Sequence, residues 1–252
     1  ILIDYPGLNL RLAQKIKKRL NTKIIYYISP QFWAWKPKRV KIIKQYVDTM
    51  IVLFPFEIGW YQKYNIAVEY FGHPLVGNYF NPNQKLIEKK PAYRIALCPG
   101  SRKQEIKAHM PVLSNVIKQA QNIHANIHFD LFCAPNIPES LVRRYPHIGG
   151  VTIHHTPILE SFNQIDFAVV ASGTASLECA TTATPMVVIY KMSWISWKTT
   201  RFFVNSSYAS IINILANKKI VEELLQTDCN SQNIIATINN FVAGVTSSQH
   251  QE

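Results

Sequence analysis

Short runs of β-branched and other apolar residues alternate with stretches of helical periodicity along most of this chain of 252 residues. The run 94–98, for example, precedes a helical pattern over 103–122. The predicted strands span 1–3, 24–28, 49–54, 68–71, 94–98, 127–133, 151–154, 167–170 and 186–190. From Trp194 onward the pattern predicts mainly helix. Alternation of this kind indicates parallel β-α-β units and therefore an α/β fold.

A polar stretch near residue 85 separates two such blocks. It contains several asparagines, the charged residues Lys85, Glu88, Lys89 and Lys90, and a closing Pro91, which is typical of a linker. We predict two doubly wound, Rossmann-like domains with parallel sheets, at 1–80 and 93–225. A linker at 81–92 joins them, and a carboxyl-terminal helix and tail occupy 226–252. The chain opens on Ile1 rather than Met, so we expect the first domain to be incomplete.

The charge balance restricts the partners. The chain has 27 Lys and Arg against 15 Asp and Glu, a formal charge of +12, which suits an acidic partner or surface. One basic cluster follows Phe32, Trp33 and Trp35, and such a mixture suits a membrane interface or base stacking on single-stranded RNA. No helix-turn-helix, finger or RNA-recognition pattern occurs, which argues against nucleic acid. A basic, non-catalytic membrane- or RNA-binding protein is one alternative.

Several other classes are disfavoured. An apolar content of 48% excludes a disordered chain. The four cysteines form no Cys-x-x-Cys pair, so we expect no zinc site, and we expect no metal or cofactor. The absence of Gly-x-Gly-x-x-Gly and of Gly-Lys-Ser/Thr argues against a dinucleotide oxidoreductase and a P-loop ATPase.

Two loops that follow predicted strands suit phosphate. The first contains Gly100, Ser101 and Arg102 and opens a helix, whose free N–H groups favour an anion. Glycine allows close approach of a ligand, and arginine binds phosphate with two donors. An ordinary capped turn explains this loop equally well.

The second loop, Ser172-Gly173-Thr174, repeats the arrangement, and Glu178 lies one turn into the next helix. A carboxylate there can accept hydrogen bonds from a ribose diol. Helix capping by Ser172 or Thr174 is the alternative. Two such loops in one domain favour a sugar-nucleotide transferase.

Two further polar residues stand out. Asp4 directly follows the first strand and could act as a general base on an alcohol, or it could be a turn residue beside Pro6 and Gly7. Asn213 lies in an apolar stretch. A buried amide needs partners, so Asn213 either ties a loop or meets a polar ligand.

Many segments in order resemble lipid-A-disaccharide synthase. These are Ile28-Ser29-Pro30-Gln31-Phe32-Trp33-Ala34-Trp35, Leu53-Phe54-Pro55-Phe56-Glu57, Gly72-His73-Pro74-Leu75, Leu97-Cys98-Pro99-Gly100-Ser101-Arg102, Ala171-Ser172-Gly173-Thr174-Ala175 with Leu177-Glu178, and Thr184-Pro185-Met186. The segment from Asn213 to Gln226 also fits, and the matches run from residue 1 to about 240.

The resemblance implies an inverting, metal-independent glycosyltransferase of GT-B fold that acts in lipid A and lipopolysaccharide synthesis for the Gram-negative outer membrane. It implies transfer of 2,3-diacylglucosamine from UDP-2,3-diacylglucosamine to lipid X, 2,3-diacylglucosamine 1-phosphate. The products are lipid A disaccharide 1-phosphate and UDP. No cofactor is implied. The expected partners are an anionic membrane surface and a second copy in a homodimer, with no nucleic acid. The expected location is cytoplasmic, peripheral on the inner membrane.

The resemblance also assigns roles to residues. Asp4 matches the essential aspartate, which we expect to deprotonate the acceptor hydroxyl, and Arg102 matches an essential arginine. Glu178 and Asn213 match nucleotide-site residues. The remaining residues that we predict to bind UDP are Gly100, Ser101, Ser172, Gly173 and Thr174.

Some family features are missing. The Gly-Glu-x-Ser-Gly-Asp loop is absent, Gly7 replaces a second carboxylate, and Leu-Pro-Asn reads Ile211-Ile212-Asn213. A different nucleotide-sugar enzyme of the same architecture, such as an epimerase or another glycosyltransferase, is the other alternative, although the segment with Trp33 and Trp35 argues against it.

Overall fold

The computed structural model describes residues 1–33, 37–79, 90–123, 126–156, 158–192 and 208–247. Contacts divide the chain into two compact units. One lies within Ile1–Gly77, and the other within Asn78–Trp197 and Tyr208–Glu252. Residues 81–89 of the predicted linker lie outside the described residues, as does Trp35.

The first unit contains a four-stranded parallel sheet in the order β1-β2-β3-β4. Its strands are β1 (Leu2–Ile3), β2 (Ile25–Tyr27), β3 (Thr49–Val52) and β4 (Val68–Tyr70). Its helices are α1 (Pro6–Arg19), α2 (Val40–Tyr46), α3 (Pro55–Gln62) and α4 (Pro74–Tyr79), with a 3₁₀ turn Pro37–Arg39 before α2.

Sequence signals explain where helices of the first unit begin. Pro6 and Pro55 occupy the first helical turn, where a missing N–H costs no hydrogen bond. Tyr26 and Met50 of the strands are buried together with Leu10 of α1. The helices α1, α3 and α4 begin shortly after β1, β3 and β4, and the loops that join them lie at the carboxyl ends of these strands.

The second unit contains a six-stranded parallel sheet in the order β10-β9-β8-β5-β6-β7. Its strands are β5 (Tyr93–Cys98), β6 (Ile127–Phe132), β7 (Thr152–His154), β8 (Phe167–Ala171), β9 (Met186–Tyr190) and β10 (Glu222–Leu225). Its described helices are α5 (Lys103–Ile123), α6 (Ser140–Arg143), α7 (Ile158–Ser161), α8 (Thr174–Thr181), α9 (Ile211–Ala216) and α10 (Ser231–Ser247).

The centre of this second sheet is buried on both faces. All five residues of β8 are buried, as are Ile95–Cys98 of β5, because helices cover the sheet on either side. On one face α5 contributes Met110 and Leu113, and α10 contributes Ile234 and Ile238 to the same core. This arrangement fixes the ends of β5 and β8, which carry the two loops identified above.

The described part of the chain after Trp194 is mainly helical, as predicted, but it also contains the strand β10, which the prediction missed. This strand pairs with β9 in parallel, with Glu223 opposite Val188 and Leu225 opposite Tyr190. Its sequence Glu-Glu-Leu-Leu lacks the β-branched and aromatic residues that mark strands. The strand therefore depends on pairing with β9 and on burial of Leu224, which local pattern does not reveal.

Candidate functional site

A pocket of about 370 Å³ lies in the second unit, at the carboxyl ends of β5, β6 and β8. This is the edge at which ligands bind in parallel sheets. The pocket brings together most of the predicted site residues: Gly100, Ser101, Arg102, Ser172, Gly173, Thr174 and Glu178. Asp4 and Asn213 do not line it.

The loop after β5 is shaped by Gly100 and Glu105. Gly100 has a φ of +113°, and a Cβ added there would lie 2.8 Å from the Cβ of Glu105, so glycine is required. One oxygen of Glu105 accepts the backbone N–H groups of Ser101 and Arg102, at 2.9 and 3.2 Å. Its other oxygen accepts the Arg102 guanidinium at 2.7 Å. The Glu105 carboxylate thus lies where a ligand anion would.

The Arg102 side chain remains open to solvent. It is 79% exposed, whereas its partner Glu105 is only 15% exposed. An exposed ion pair of this kind is weak, so Arg102 is available to a phosphate in the pocket. Sequence reasoning missed Glu105, although an acidic residue at the third position of a helix is a known capping signal.

A buried histidine holds the same loop in place. His109 of α5 is fully buried, and its Nε2 accepts the backbone N–H of Lys191 at 2.9 Å. Because that nitrogen accepts, Nδ1 carries the proton and donates to the carbonyl of Pro99 at 2.7 Å. Burial lowers the pKa of His109, which favours this neutral form. His109 was also missed, since nothing local connects it to Pro99 and Lys191.

The loop after β8 offers free donors at the start of α8. The Ser172 hydroxyl donates to the carbonyl of Ala209 at 3.0 Å, and its N–H donates to the carbonyl of Ile189 at 2.9 Å. Ser172 is therefore engaged by the protein. Thr174 is the first residue of α8, and its hydroxyl has no partner in the part of the chain that the structure describes. The first N–H groups of a helix lack internal partners, so this end favours an anion.

Glu178 lies half-buried on the pocket wall. Burial raises the pKa of this carboxyl group. Its oxygens make no hydrogen bond to any described residue, so both can accept a donor from a ligand. A ribose diol supplies such donors.

Asn213 is saturated by its own surroundings. Its Nδ2 donates to the carbonyl of Val221 and to Glu223, at 2.9 and 2.7 Å. Its Oδ1 accepts the N–H groups of Ile220 and Val221, at 2.8 and 3.0 Å. The amide has no remaining hydrogen-bonding capacity. The sequence predicts that Asn213 either holds a loop in place or binds a polar ligand. The structure shows that it holds the loop 220–221 in place, and its side chain lies outside the pocket.

Glu223 extends this tie toward the pocket. Its carboxylate accepts the backbone N–H groups of Ala209 and Ser210, both at 2.9 Å, as well as the Asn213 amide. Ala209 in turn accepts the hydroxyl of Ser172. A continuous set of hydrogen bonds therefore connects β10 to the loop after β8.

Asp4 lies at the carboxyl end of β1, in the first unit. Asp4 and Tyr5 both have left-handed backbones, with φ of 44° and 40°, which costs about 1–3 kcal/mol each. The Asp4 N–H donates to Tyr27 at 2.9 Å, and its carbonyl accepts Tyr26 Oη and Asn9 Nδ2 at 2.6 and 2.7 Å. These bonds hold the strained backbone and leave the carboxylate exposed, without a hydrogen bond to another described residue.

Aromatic rings gather in the loops of the first unit. Phe54 stacks on Phe56 and on His73, with ring centroids 5.8 and 5.5 Å apart, and Trp33 meets Phe56 edge-on at 4.9 Å. Beneath them Glu57 is buried and accepts the N–H groups of Leu53 and Phe54. Burial raises the pKa of Glu57. Its two backbone hydrogen bonds show that the carboxyl group caps the start of α3.

Two features are absent from the described residues. They contain no group of three or more His, Cys, Asp or Glu arranged to hold a metal ion. None of the described helices has the length and apolar character needed to cross a membrane.

Comparison with known proteins gives one consistent result. A family model described as lipid-A-disaccharide synthetase matches residues 1–252. Lipid-A-disaccharide synthase 1 of Legionella pneumophila strain Paris is 41% identical over 251 residues, covering 96% of this chain and 65% of that protein. Lipid-A-disaccharide synthase of Geobacter metallireducens is 33% identical over 253 residues with the same coverage. The chain therefore spans about two thirds of the length of these relatives.

Solved structures support the fold. The S. aureus MnaA–UDP co-structure gives a TM-score of 0.53 at 9% identity, covering 86% of this chain and 63% of that one. The crystal structure of TarM gives 0.53 at 11% identity, covering 96% and 48%. At such identities the likeness shows the fold alone. Together with the two parallel sheets it confirms the prediction of a GT-B-like α/β fold.

Proposed function

Because the chain belongs to the lipid-A-disaccharide synthetase family, we propose that it carries the donor site and part of the acceptor site of a lipid A glycosyltransferase. The reaction transfers 2,3-diacylglucosamine from its UDP ester to the 6-hydroxyl of 2,3-diacylglucosamine 1-phosphate, and releases UDP. The observation that carries this proposal is the pocket in the second unit, which collects two helix starts, Arg102 and Glu178 at one sheet edge.

The donor's nucleotide occupies this pocket. Its diphosphate lies against the starts of α5 and α8, where the backbone N–H groups and the positive helix ends favour negative charge. The Arg102 guanidinium leaves its exposed ion pair with Glu105 and binds the phosphate oxygens instead. Glu178 accepts hydrogen bonds from the ribose. Stabilisation of the departing UDP by these fixed donors lowers the barrier to transfer.

Asp4 supplies the base. Its exposed carboxylate takes the proton of the acceptor hydroxyl as that oxygen bonds to the anomeric carbon and the bond to UDP breaks. The attack comes from the face opposite the leaving group, so the configuration inverts. The strained backbone of Asp4 and Tyr5 supports this role, because strain of this kind concentrates at functional sites.

The acylated substrates and the membrane involve the first unit. Exposed apolar residues there include Leu8, Leu12 and Phe71, and the aromatic rings of Phe54 and Phe56 lie in its loops. The last turn of α1 carries Lys17, Lys18 and Arg19. Apolar and cationic side chains together favour an anionic lipid surface. We place the protein at the cytoplasmic face of the inner membrane, as a peripheral protein.

Nucleotide binding tests the proposal. Calorimetry with UDP, and with ADP and GDP as controls, is expected to show selective binding of UDP. Arg102→Ala is expected to weaken UDP binding by about tenfold, the usual effect of losing a charge-assisted hydrogen bond. Arg143→Ala is the matched control, since Arg143 is an exposed arginine paired with Glu139 outside the pocket.

Two results would contradict the proposed function. A chain that unfolds cooperatively but binds no UDP lacks the proposed donor site. Equal binding of the three nucleotides, with a steep dependence on salt, would instead support a basic surface that binds anions without catalysis.

A further inference from the structure

A second, smaller pocket lies in the first unit, between α1 and the start of α2. Its volume is about 130 Å³. Its polar lining consists of Arg11 and Gln14 from α1 and Arg39 from the turn before α2. The helix α1 begins shortly after β1, whereas the turn Pro37–Arg39 lies further along the chain from the end of β2. The pocket residues on α1 recur at about one helical turn, so the pocket runs along the side of that helix.

The two arginines of this pocket lack anionic partners. Neither guanidinium forms an ion pair or hydrogen bond with any described residue. Some other cations of the chain do have such partners: Lys17 pairs with Asp48 at 2.7 Å, and Arg94 pairs with Asp130 at 2.6 Å. Two like charges beside one cavity repel each other, and a bound anion removes that repulsion.

The backbone beside the pocket adds to this preference. The first turn of α1 contains no acidic residue, and the carboxylate that precedes it is that of Asp4. Gly7 lines the pocket, and a Cβ built there would meet nothing within 4 Å, so the backbone is open to approach. Gln14 can donate from its amide.

We propose that this pocket binds the phosphate monoester of a sugar-phosphate acceptor. Two guanidinium groups match the bidentate hydrogen bonding of a phosphate, and a cavity of 130 Å³ suits one phosphate group rather than a nucleotide. The inference rests on the proposed function, in which the acceptor is a glucosamine 1-phosphate. The first residue that lines the pocket is Pro6, two residues after Asp4. The proposed base and the proposed phosphate-binding site therefore both lie in the segment that follows β1.

The test uses N-acetylglucosamine 1-phosphate as probe and neutral N-acetylglucosamine as control. Proton–nitrogen NMR of the arginine side chains in the whole chain is expected to show shifts of the Arg11 and Arg39 Nε–H signals with the sugar phosphate only. Arg11→Gln and Arg39→Gln are expected to raise its dissociation constant about tenfold each, the effect of one charge-assisted hydrogen bond. Arg144→Gln, which changes an exposed arginine of the second unit outside both pockets, is expected to leave the dissociation constant unchanged.

Separate measurements distinguish the possible failures. UDP binding in the second unit is measured in the same variants and is expected to remain normal. If UDP binds but the sugar phosphate shifts neither arginine, this inference is wrong while the proposed function stands. If phosphatidylglycerol vesicles require Arg11 whereas the sugar phosphate does not, the pocket serves a lipid headgroup and the inference is overturned. Arg11 is an exposed residue in the middle of α1, so we expect Arg11→Gln to fold normally. This variant is sufficient for the test if Arg39→Gln does not fold.

Discussion

The carboxylate of Glu105 binds Arg102 twice, through the backbone N–H at 3.2 Å and through the guanidinium at 2.7 Å. The same carboxylate accepts the N–H of Ser101. The protein's own anion thus fills the position in which the proposed function places a phosphate. A nucleotide must compete with Glu105 for these donors.

Removing this competitor should strengthen nucleotide binding. Glu105→Gln keeps an oxygen for the backbone N–H groups but loses the negative charge. Because the ion pair with Arg102 is exposed, we expect a modest gain in UDP affinity, about two- to fivefold, measured by calorimetry. Glu139→Gln removes the equivalent partner of Arg143 outside the pocket and should have no effect. Weaker binding in Glu105→Gln would show that Glu105 orders the loop for the ligand instead of competing with it.

His109 should make stability depend on pH. Burial lowers the folded-state pKa of His109 below its usual value near 6.5, whereas the unfolded chain keeps that value. The unfolded state therefore takes up more protons, and stability falls as the pH decreases from about 6.5 toward the folded pKa. Glu105 opposes this shift and Lys191 adds to it.

His109→Gln removes this contribution. We expect it to lower the free energy of unfolding by about 1–3 kcal/mol at pH 7.5, because buried hydrogen bonds are lost, and by less at pH 5.5. Denaturant unfolding at both pH values measures the difference. His128→Gln changes an exposed residue of β6 and serves as control. An equal loss at the two pH values would mean that His109 does not titrate in this way.

Asp4→Asn separates catalysis from nucleotide binding. In the full-length protein we expect turnover to fall by about 10²–10⁴-fold, the usual contribution of a general base, while UDP affinity is retained. Asp48→Asn, which removes the partner of Lys17 in the same unit, is the control. Full turnover in Asp4→Asn would reject the assignment of the base.

Gly100→Ala tests the shape of the loop after β5. Its φ of +113° and the close approach of Glu105 leave no room for a methyl group, so we expect a loss of stability of about 1–3 kcal/mol and weaker UDP binding. Gly149→Ala is the control, because nothing lies within 4 Å of its added Cβ. Thermal unfolding and calorimetry of both variants provide the measurement, and equal behaviour would contradict the structural explanation.

Sequence reasoning found the parts of the pocket that are set by local pattern. Gly100–Arg102 and Ser172–Thr174 follow strands of continuous apolar character, and in a parallel sheet such positions meet at one edge. Glu105 and His109 were missed because their roles depend on the folded loop, which closes contacts to Ser101, Pro99 and Lys191. Asn213 could be identified as a buried amide, but only the structure shows what satisfies it.

The hydrogen bonds of Glu223 restrict the length of the turn between α9 and β10. Side chains of a strand alternate between its faces, so a slip of one residue would turn Glu223 away from Ala209 and bring Leu224 or Glu222 into its place. Insertion or deletion of one residue in 217–221 would therefore release Ser210 and loosen the attachment of Ser172. A change in the length of that turn is therefore transmitted to the pocket.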